Sequence, residues 1–143
     1  MSAARPPFSP VVSLLTVSAV WDARLDGELR QLGLTTRKYG LLAHVRATPG
    51  ISFSELARRS QITVQSAHAA MHSLVDAGFV EDSTAHAGAA SVLRVTDAGV
   101  AVLGDADRML ARLDAEFAAG ASQLAAALEG LHEDPFTGDS QSR

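Results

Sequence analysis

The sequence predicts a mainly α-helical protein. A helix-turn-helix is followed by a small two-stranded β wing and flanked by long N- and C-terminal helices. Three observations lead there. Apolar residues recur every three or four positions along two long stretches, 14–32 and 103–131. Residues 53–78 supply a short helix, a tight connection and a second helix. After Gly78 the helical period gives way to two short strand-like runs, 79–81 and 91–95.

The elements follow in order. Ser9 is a helix N-cap residue and Pro10 suits the first helical position. Leu14, Val17, Trp21, Leu25, Leu29 and Leu32 then form one continuous apolar face, and Gly33 stops the helix. Thr35 or Thr36 caps a second helix carrying Tyr39, Leu41, Leu42 and Val45, which the Pro49-Gly50 turn ends. Ser52-Phe53-Ser54-Glu55 matches a capping box, with Ser52 bonding forward and Glu55 back. The short helix it opens reaches about Arg59, and Ser60-Gln61-Ile62 makes the tight connection. Thr63 caps the next helix, with Ala67, Met71, Leu74 and Val75 on its inner face and Gly78 as a left-handed terminator. Residues 85–90 make a hairpin tip of small residues. Thr96 caps a fifth helix running through Val100, Leu103, Leu110, Leu113 and Phe117, and a sixth segment carries Leu124, Leu128 and Leu131. Residues 1–8 read as a flexible arm and 133–143 as a fraying tail.

Composition narrows the function. The 143 residues are 47% hydrophobic and 20% charged, which is ordinary globular usage and excludes a disordered chain. There is no cysteine, so disulfides, thiolate metal sites and thiol nucleophiles are excluded. No apolar run approaches the ~18 residues of a membrane span. The N-terminus shows no signal-peptide pattern, and the expected compartment is the cytoplasm.

The net charge of −4 hides a gradient. Residues 1–34 are neutral. Residues 35–96 carry Arg37, Lys38, Arg46, Arg58, Arg59 and Arg94 against Glu55, Asp76, Glu81 and Asp82. Residues 97–143 carry three arginines against nine acids. A locally basic surface, rather than net charge, decides whether phosphate can be approached.

The order of elements resembles the MarR family of winged helix-turn-helix transcriptional regulators. The resemblance rests on Phe53-Ser54-Glu55-Leu56-Ala57, on Leu74-Val75-Asp76-Ala77-Gly78-Phe79-Val80 and on Leu93-Arg94-Val95-Thr96-Asp97-Ala98-Gly99. It spans about residues 10–132. It implies a homodimer, with residues 9–34 and 97–132 as the dimerisation region and 35–96 as the DNA-binding region. The length of the two leucine faces agrees with that, because one small core cannot cover them. The resemblance also implies a recognition helix at about Thr63–Ala77, exposing Gln65, Ser66, His68, Ala69 and His72 to double-stranded DNA. Gln suits adenine, Ser either base or phosphate, and His guanine or phosphate. Arg37, Lys38, Arg58, Arg59 and Arg94, with His86 in the wing, complete the expected DNA-contacting set.

The sequence also departs from the family pattern. No Arg lies between Thr63 and Phe79, Ala87-Gly88-Ala89 stands where family members usually carry Asp-x-Arg, and Asp82 stands where a basic residue often follows the first wing strand. An alternative therefore stays open: a winged-helix dimer that has lost DNA binding and acts as a protein-interaction or ligand-sensing module. The resemblance further implies a small-molecule effector pocket at Trp21, Leu25, Tyr39, Ala43 and Met71, with His44 and Arg46 near enough in sequence to meet an anion. His68 and His72 have metal-ligand spacing, but no closed ligand set accompanies them, so neither a metal nor a cofactor is expected. A phosphate-binding glycine loop and a nucleophile elbow are absent, so an enzyme is not expected.

Overall fold

A computed structural model describes residues 3–83 and 92–133. Their order is α1 (Pro10–Arg30), α2 (Thr36–Ala47), α3 (Phe53–Ser60), α4 (Val64–Asp76), β1 (Val80–Ser83), β2 (Val92–Val95), α5 (Asp97–Gly120) and α6 (Ser122–Glu133). The chain divides into two compact units, Met1–Asp107 and Arg108–Arg143.

In the first unit the helix starts are local chemistry. Ser9, Thr35, Ser52 and Thr63 are extended N-cap residues whose side chains accept from Val12, Lys38, Glu55 and Ser66 N–H. Asp26 adds a tie between helices. Its Oδ1 accepts from the Thr36 N–H at 3.1 Å and its Oδ2 from Arg30 Nε at 2.7 Å, so α1 holds the start of α2. The guanidinium of Arg30 and the Thr36 amide keep the Asp26 carboxyl below its ordinary range.

The core of this unit is apolar throughout. Leu34, Leu41, Leu42, Leu56, Met71, Leu74, Leu93 and Leu103 are each at most 1% exposed. No polar or charged residue is buried among the described residues. β1 and β2 pair antiparallel, with Val80 opposite Val95, Glu81 opposite Arg94 and Ser83 opposite Val92.

The junction into α5 explains the Thr96-Asp97-Ala98-Gly99 run. Thr96 donates its N–H to the Phe79 carbonyl at 3.0 Å and its hydroxyl to the Gly78 carbonyl, and accepts from the Gly99 N–H at 3.1 Å. A Cβ on Gly99 would lie 2.2 Å from the Phe79 oxygen and 2.6 Å from Val95 Cγ1. Only glycine permits this approach of α5 to the hairpin.

Four sequence expectations change. The first wing strand runs over 80–83 rather than 79–81, and the second covers 92–95, the expected Ser91 lying outside the described residues. The Phe79 N–H is taken by the Leu74 carbonyl and the Gly78 N–H by the Val75 carbonyl, so Phe79 closes α4, with Gly78 at φ +81°. The capping box at Ser52 forms only forward, because the Glu55 carboxylate turns to Arg58 and Arg59. Val75, expected inside, is 37% exposed. The α1 stripe is also uneven: Leu29 is buried, Trp21 and Leu25 are half-buried, and Leu14 and Val17 are 55% and 38% exposed. The hairpin tip at 85–90 and the tail from Asp134 lie outside the described residues.

In the second unit α5 continues to Gly120, and α6 starts after Ala121, whose N–H meets the Phe117 carbonyl at 2.8 Å. Leu124, Leu128 and Leu131 on α6 are 37–49% exposed. Among the described residues no helix is long and apolar enough to cross a membrane.

Candidate nucleic-acid interface

The helix-turn-helix is shaped by one unusual residue. Gln61 adopts the left-handed conformation at φ 54°. This directs its N–H to Arg58 and the Ile62 N–H to the Ala57 carbonyl at 3.1 Å, closing α3. The chain leaves the turn extended at Thr63, and α4 begins.

On α4, Ala67, Met71 and Leu74 are buried at spacings of four and three. The opposite face is thereby fixed. Gln65, His68, Ala69 and His72 are exposed on it, and Ser66 is half-buried beside them. Val64 is also 43% exposed at the helix start, an apolar contribution not anticipated from the sequence. Thr63 and Ser66 form a reciprocal cap: the Ser66 N–H donates to Thr63 Oγ1 at 3.0 Å, and the Thr63 hydroxyl donates to Ser66 Oγ at 2.9 Å.

His68 is not a free surface side chain. Its ring stacks on Phe53 at 3.9 Å between centroids and 18° between planes, and His72 follows at 6.5 Å. Phe53, the first residue of α3, thus holds the first of two imidazoles. Sequence reasoning placed Phe53 in the capping box and missed this role. The available signal was an aromatic residue at the start of a helix that packs on α4.

The cations are differently placed. Arg58 Nε donates to Glu55 Oε2 at 2.9 Å and its Nη2 to Oε1; Arg59 Nε donates to Oε1 at 2.9 Å and its Nη1 to Thr48 Oγ1 at 2.9 Å. These hydrogen bonds, Arg58 first, draw the Glu55 carboxyl down to about 2, and Glu55 in turn raises Arg58. Arg58 keeps 71% of its side chain exposed and Arg59 37%. Arg37 is exposed and Lys38 half-buried in the first turn of α2. Arg94 is exposed on β2, directly opposite Glu81. His86 lies outside the described residues, as does the wing tip at Ala87-Gly88-Ala89.

The structure therefore gathers Thr63, Gln65, Ser66, His68 and His72 on α4, with Arg58 and Arg59 just before the turn. For the second set of residues, Trp21, Leu25, Tyr39 and Ala43 are half-buried on α1 and α2. Met71 is only 1% exposed and belongs to the core, a correction to its expected place in a pocket wall. The Arg24 guanidinium lies 4.6 Å from the Trp21 ring centroid, within cation–π range. Arg46 is held by Asp107, with Nη1–Oδ2 at 2.9 Å, and this pairing raises its pKa. Among the described residues no group of three potential metal ligands occurs.

A short helix, a left-handed turn, a second helix with an outward polar face and a two-stranded hairpin define a winged helix-turn-helix protein. Comparison with known proteins narrows the class. The model of the MarR family matches residues 32–88. The HTH-type transcriptional repressor Rv2887 of Mycobacterium tuberculosis is 36% identical over 67 residues, 47% of this chain. That match spans 48% of the repressor, about half the length of the curated relative. The crystal structure of Rv2887 in complex with DNA matches with a TM-score of 0.72 and 25% identity over 89% of this chain and 97% of that one. Its complex with salicylic acid matches with a TM-score of 0.69 and 27% identity over 89% and 96%. Over residues 32–88 the chain is similar to the MarR family, and over nearly all of its length it shares the winged helix-turn-helix fold of these structures.

Proposed function

We propose that this protein is a dimeric, ligand-responsive transcriptional repressor that binds operator DNA by laying α4 in the major groove. One observation carries the reading. The buried stripe Ala67, Met71 and Leu74 forces Gln65, His68, Ala69 and His72 outward on a helix whose start is capped and whose leading imidazole is stacked in place. Gln65 reads adenine, His68 and His72 donate to guanine or phosphate, and Ala69 and Val64 offer apolar contact to thymine methyl groups. Arg37, Lys38, Arg58, Arg59, Arg94 and His86 supply phosphate contacts, which fix register without reading sequence. The DNA complex of the related Rv2887 supports this reading.

Residues 9–34 and 97–132 carry the dimer contacts, and 35–96 the DNA-binding part. The exposed apolar residues of α1, from Val11 to Val20, support a second copy of the chain as their cover. Trp21, Leu25, Tyr39 and Ala43 form the effector wall. An aromatic acid of the kind bound by Rv2887 suits an aromatic wall beside Arg24. The place of action is the cytoplasm, and the protein has no enzymatic role.

A second reading has its own observation. α4 has no Lys or Arg, and the two arginines preceding it are engaged by Glu55. On that reading the same winged dimer contacts a protein or senses a ligand without DNA. Selection from a random duplex library, followed by fluorescence anisotropy at low and physiological salt, separates the two. Enrichment of a two-fold symmetric sequence, released on adding salicylate, is the outcome expected of the repressor. No retention of any duplex at low salt sinks the DNA-binding reading.

A further inference from the structure

Glu55 occupies the donor edges of Arg58 and Arg59. Its two carboxylate oxygens receive three N–H groups from Arg58 and Arg59. Arg–carboxylate and Arg–phosphate pairing use the same planar donor edge, so one guanidinium edge cannot serve both. The arginines lie at the end of α3, immediately before the turn into α4. No other Lys or Arg lies between residue 47 and residue 93, so the permanent positive charge of this segment comes from these two side chains. The three-residue cluster presents one net positive charge instead of two.

The two arginines are held differently. Arg59 is anchored twice, by Glu55 and by Thr48 at the end of α2, and is the less exposed. Arg58 has no anchor among the described hydrogen bonds besides Glu55, and most of its surface faces solvent. Arg58 is the side chain that an incoming phosphate can take over with least disturbance.

We propose that Glu55 is an internal competitor for phosphate: it holds Arg58, and secondarily Arg59, so that the backbone-contact part of DNA affinity is attenuated and binding depends more on the base-reading face of α4. The proposal rests on the DNA-binding reading for its biological meaning, but its chemistry is the competition of one carboxylate with a phosphate for the same arginines.

Glu55→Gln removes the charge and leaves the backbone N–H that Ser52 caps. Two measurements test it on the full-length protein. In the first, anisotropy with a random-sequence duplex and with a selected duplex is run across a salt series. Binding of both should tighten by the same factor, and the salt slope should steepen by about one unit for each arginine released. Arg58→Ala in the E55Q background should remove most of that gain. In the second, the arginine side-chain Nε–H resonances are followed while inorganic phosphate is added. Arg58 should respond at several-fold lower phosphate in E55Q than in the wild type.

Equal salt slopes and equal phosphate responses in the two proteins overturn the proposal, as does a gain in E55Q that survives Arg58→Ala. Failure of the DNA-binding reading looks different: neither protein binds any duplex at low salt. The phosphate titration still decides the competition in that case.

Discussion

The winged core and the first half of α1 are made of the same residue types with opposite fates. In the winged core, Leu41, Leu42, Val45, Leu56, Leu74, Val80 and Leu93 are closed in where α2, α3, α4 and the hairpin pack together. Between Val11 and Val20, five of the six large apolar residues are at least 55% exposed and Val17 is 38% exposed. The difference teaches where this chain is sufficient by itself. The helix-turn-helix and wing are completed by local caps and a shared core. The first three turns of α1 display an apolar surface that a soluble protein rarely leaves open, and a second copy of the chain is the cover proposed for it.

Substitution of one leucine in each region should break the symmetry most sharply. Leu56→Ala or Leu74→Ala opens a cavity in a site at most 1% exposed and should cost about 2–5 kcal/mol, read as a lower urea midpoint. Leu15→Ala, at a residue 63% exposed, removes little packing within one chain. Its effect should instead be concentration-dependent, with a larger monomer fraction in sedimentation equilibrium. A concentration-independent loss at Leu15 as large as that at Leu74 would contradict the contrast.

The Thr96–Gly99 junction offers the next largest effect. Gly99→Ala places a methyl group against the Phe79 carbonyl and Val95 with no room for it. The hairpin or α5 must move, at about 1–3 kcal/mol. Gly120, on the same helix and with nothing within 4 Å of an added Cβ, is the control. Equal tolerance at both positions would show that α5 does not need its close approach to the hairpin.

Much of this was legible in the residues. Ser9, Ser52, Thr63 and Thr96 announced helix starts because a hydroxyl before an apolar-periodic stretch has one dominant local use. Ala67, Met71 and Leu74 fixed the outward face of α4 by spacing alone. What stayed hidden depended on partners distant in sequence or on competition between neighbours. Phe53 and His68 stack across two helices, and no local pattern links residues fifteen apart. Asp26 reaches the Thr36 amide from another helix. Glu55 had two legible uses, back to Ser52 or forward to the arginines three and four residues on; a charged donor outbids a neutral amide. Met71, expected at a pocket, shares the period of the core residues beside it, and that period governs its position.

Loss of one cap is a smaller effect. Thr63→Ala removes the acceptor for the Ser66 N–H and the donor to Ser66 Oγ, and should cost about 1 kcal/mol. Thr63→Ser should keep most of it. The two variants separate cap chemistry from the packing of the threonine methyl group, a distinction the buried core does not offer.

The smallest effect compares carboxylates in the two regions by pH. Glu55, beside α4, is drawn down to about 2 by Arg58 and Arg59, and Asp26, on α1, is lowered by Arg30 and the Thr36 amide. A carboxyl lowered in the folded state contributes stability above its unfolded value and loses it as pH falls through the folded one. The Glu55 contribution is therefore complete at neutral pH, begins to fall near pH 4.5 and is gone below about 2. Both carboxylates are solvent-accessible, so each effect is small and weakens with salt. Chemical-denaturation midpoints of wild type and E55Q should differ at neutral pH and converge as the solution is acidified towards pH 2. The corresponding Asp26→Ala comparison should retain part of its difference in high salt, because one of the two partners it loses is a neutral backbone amide. If both differences vanish equally in salt, the link from α1 to the start of α2 is an ordinary surface ion pair. If only the Glu55 difference vanishes, Asp26 fastens the apolar helix to the winged core through a bond that charge screening does not reach.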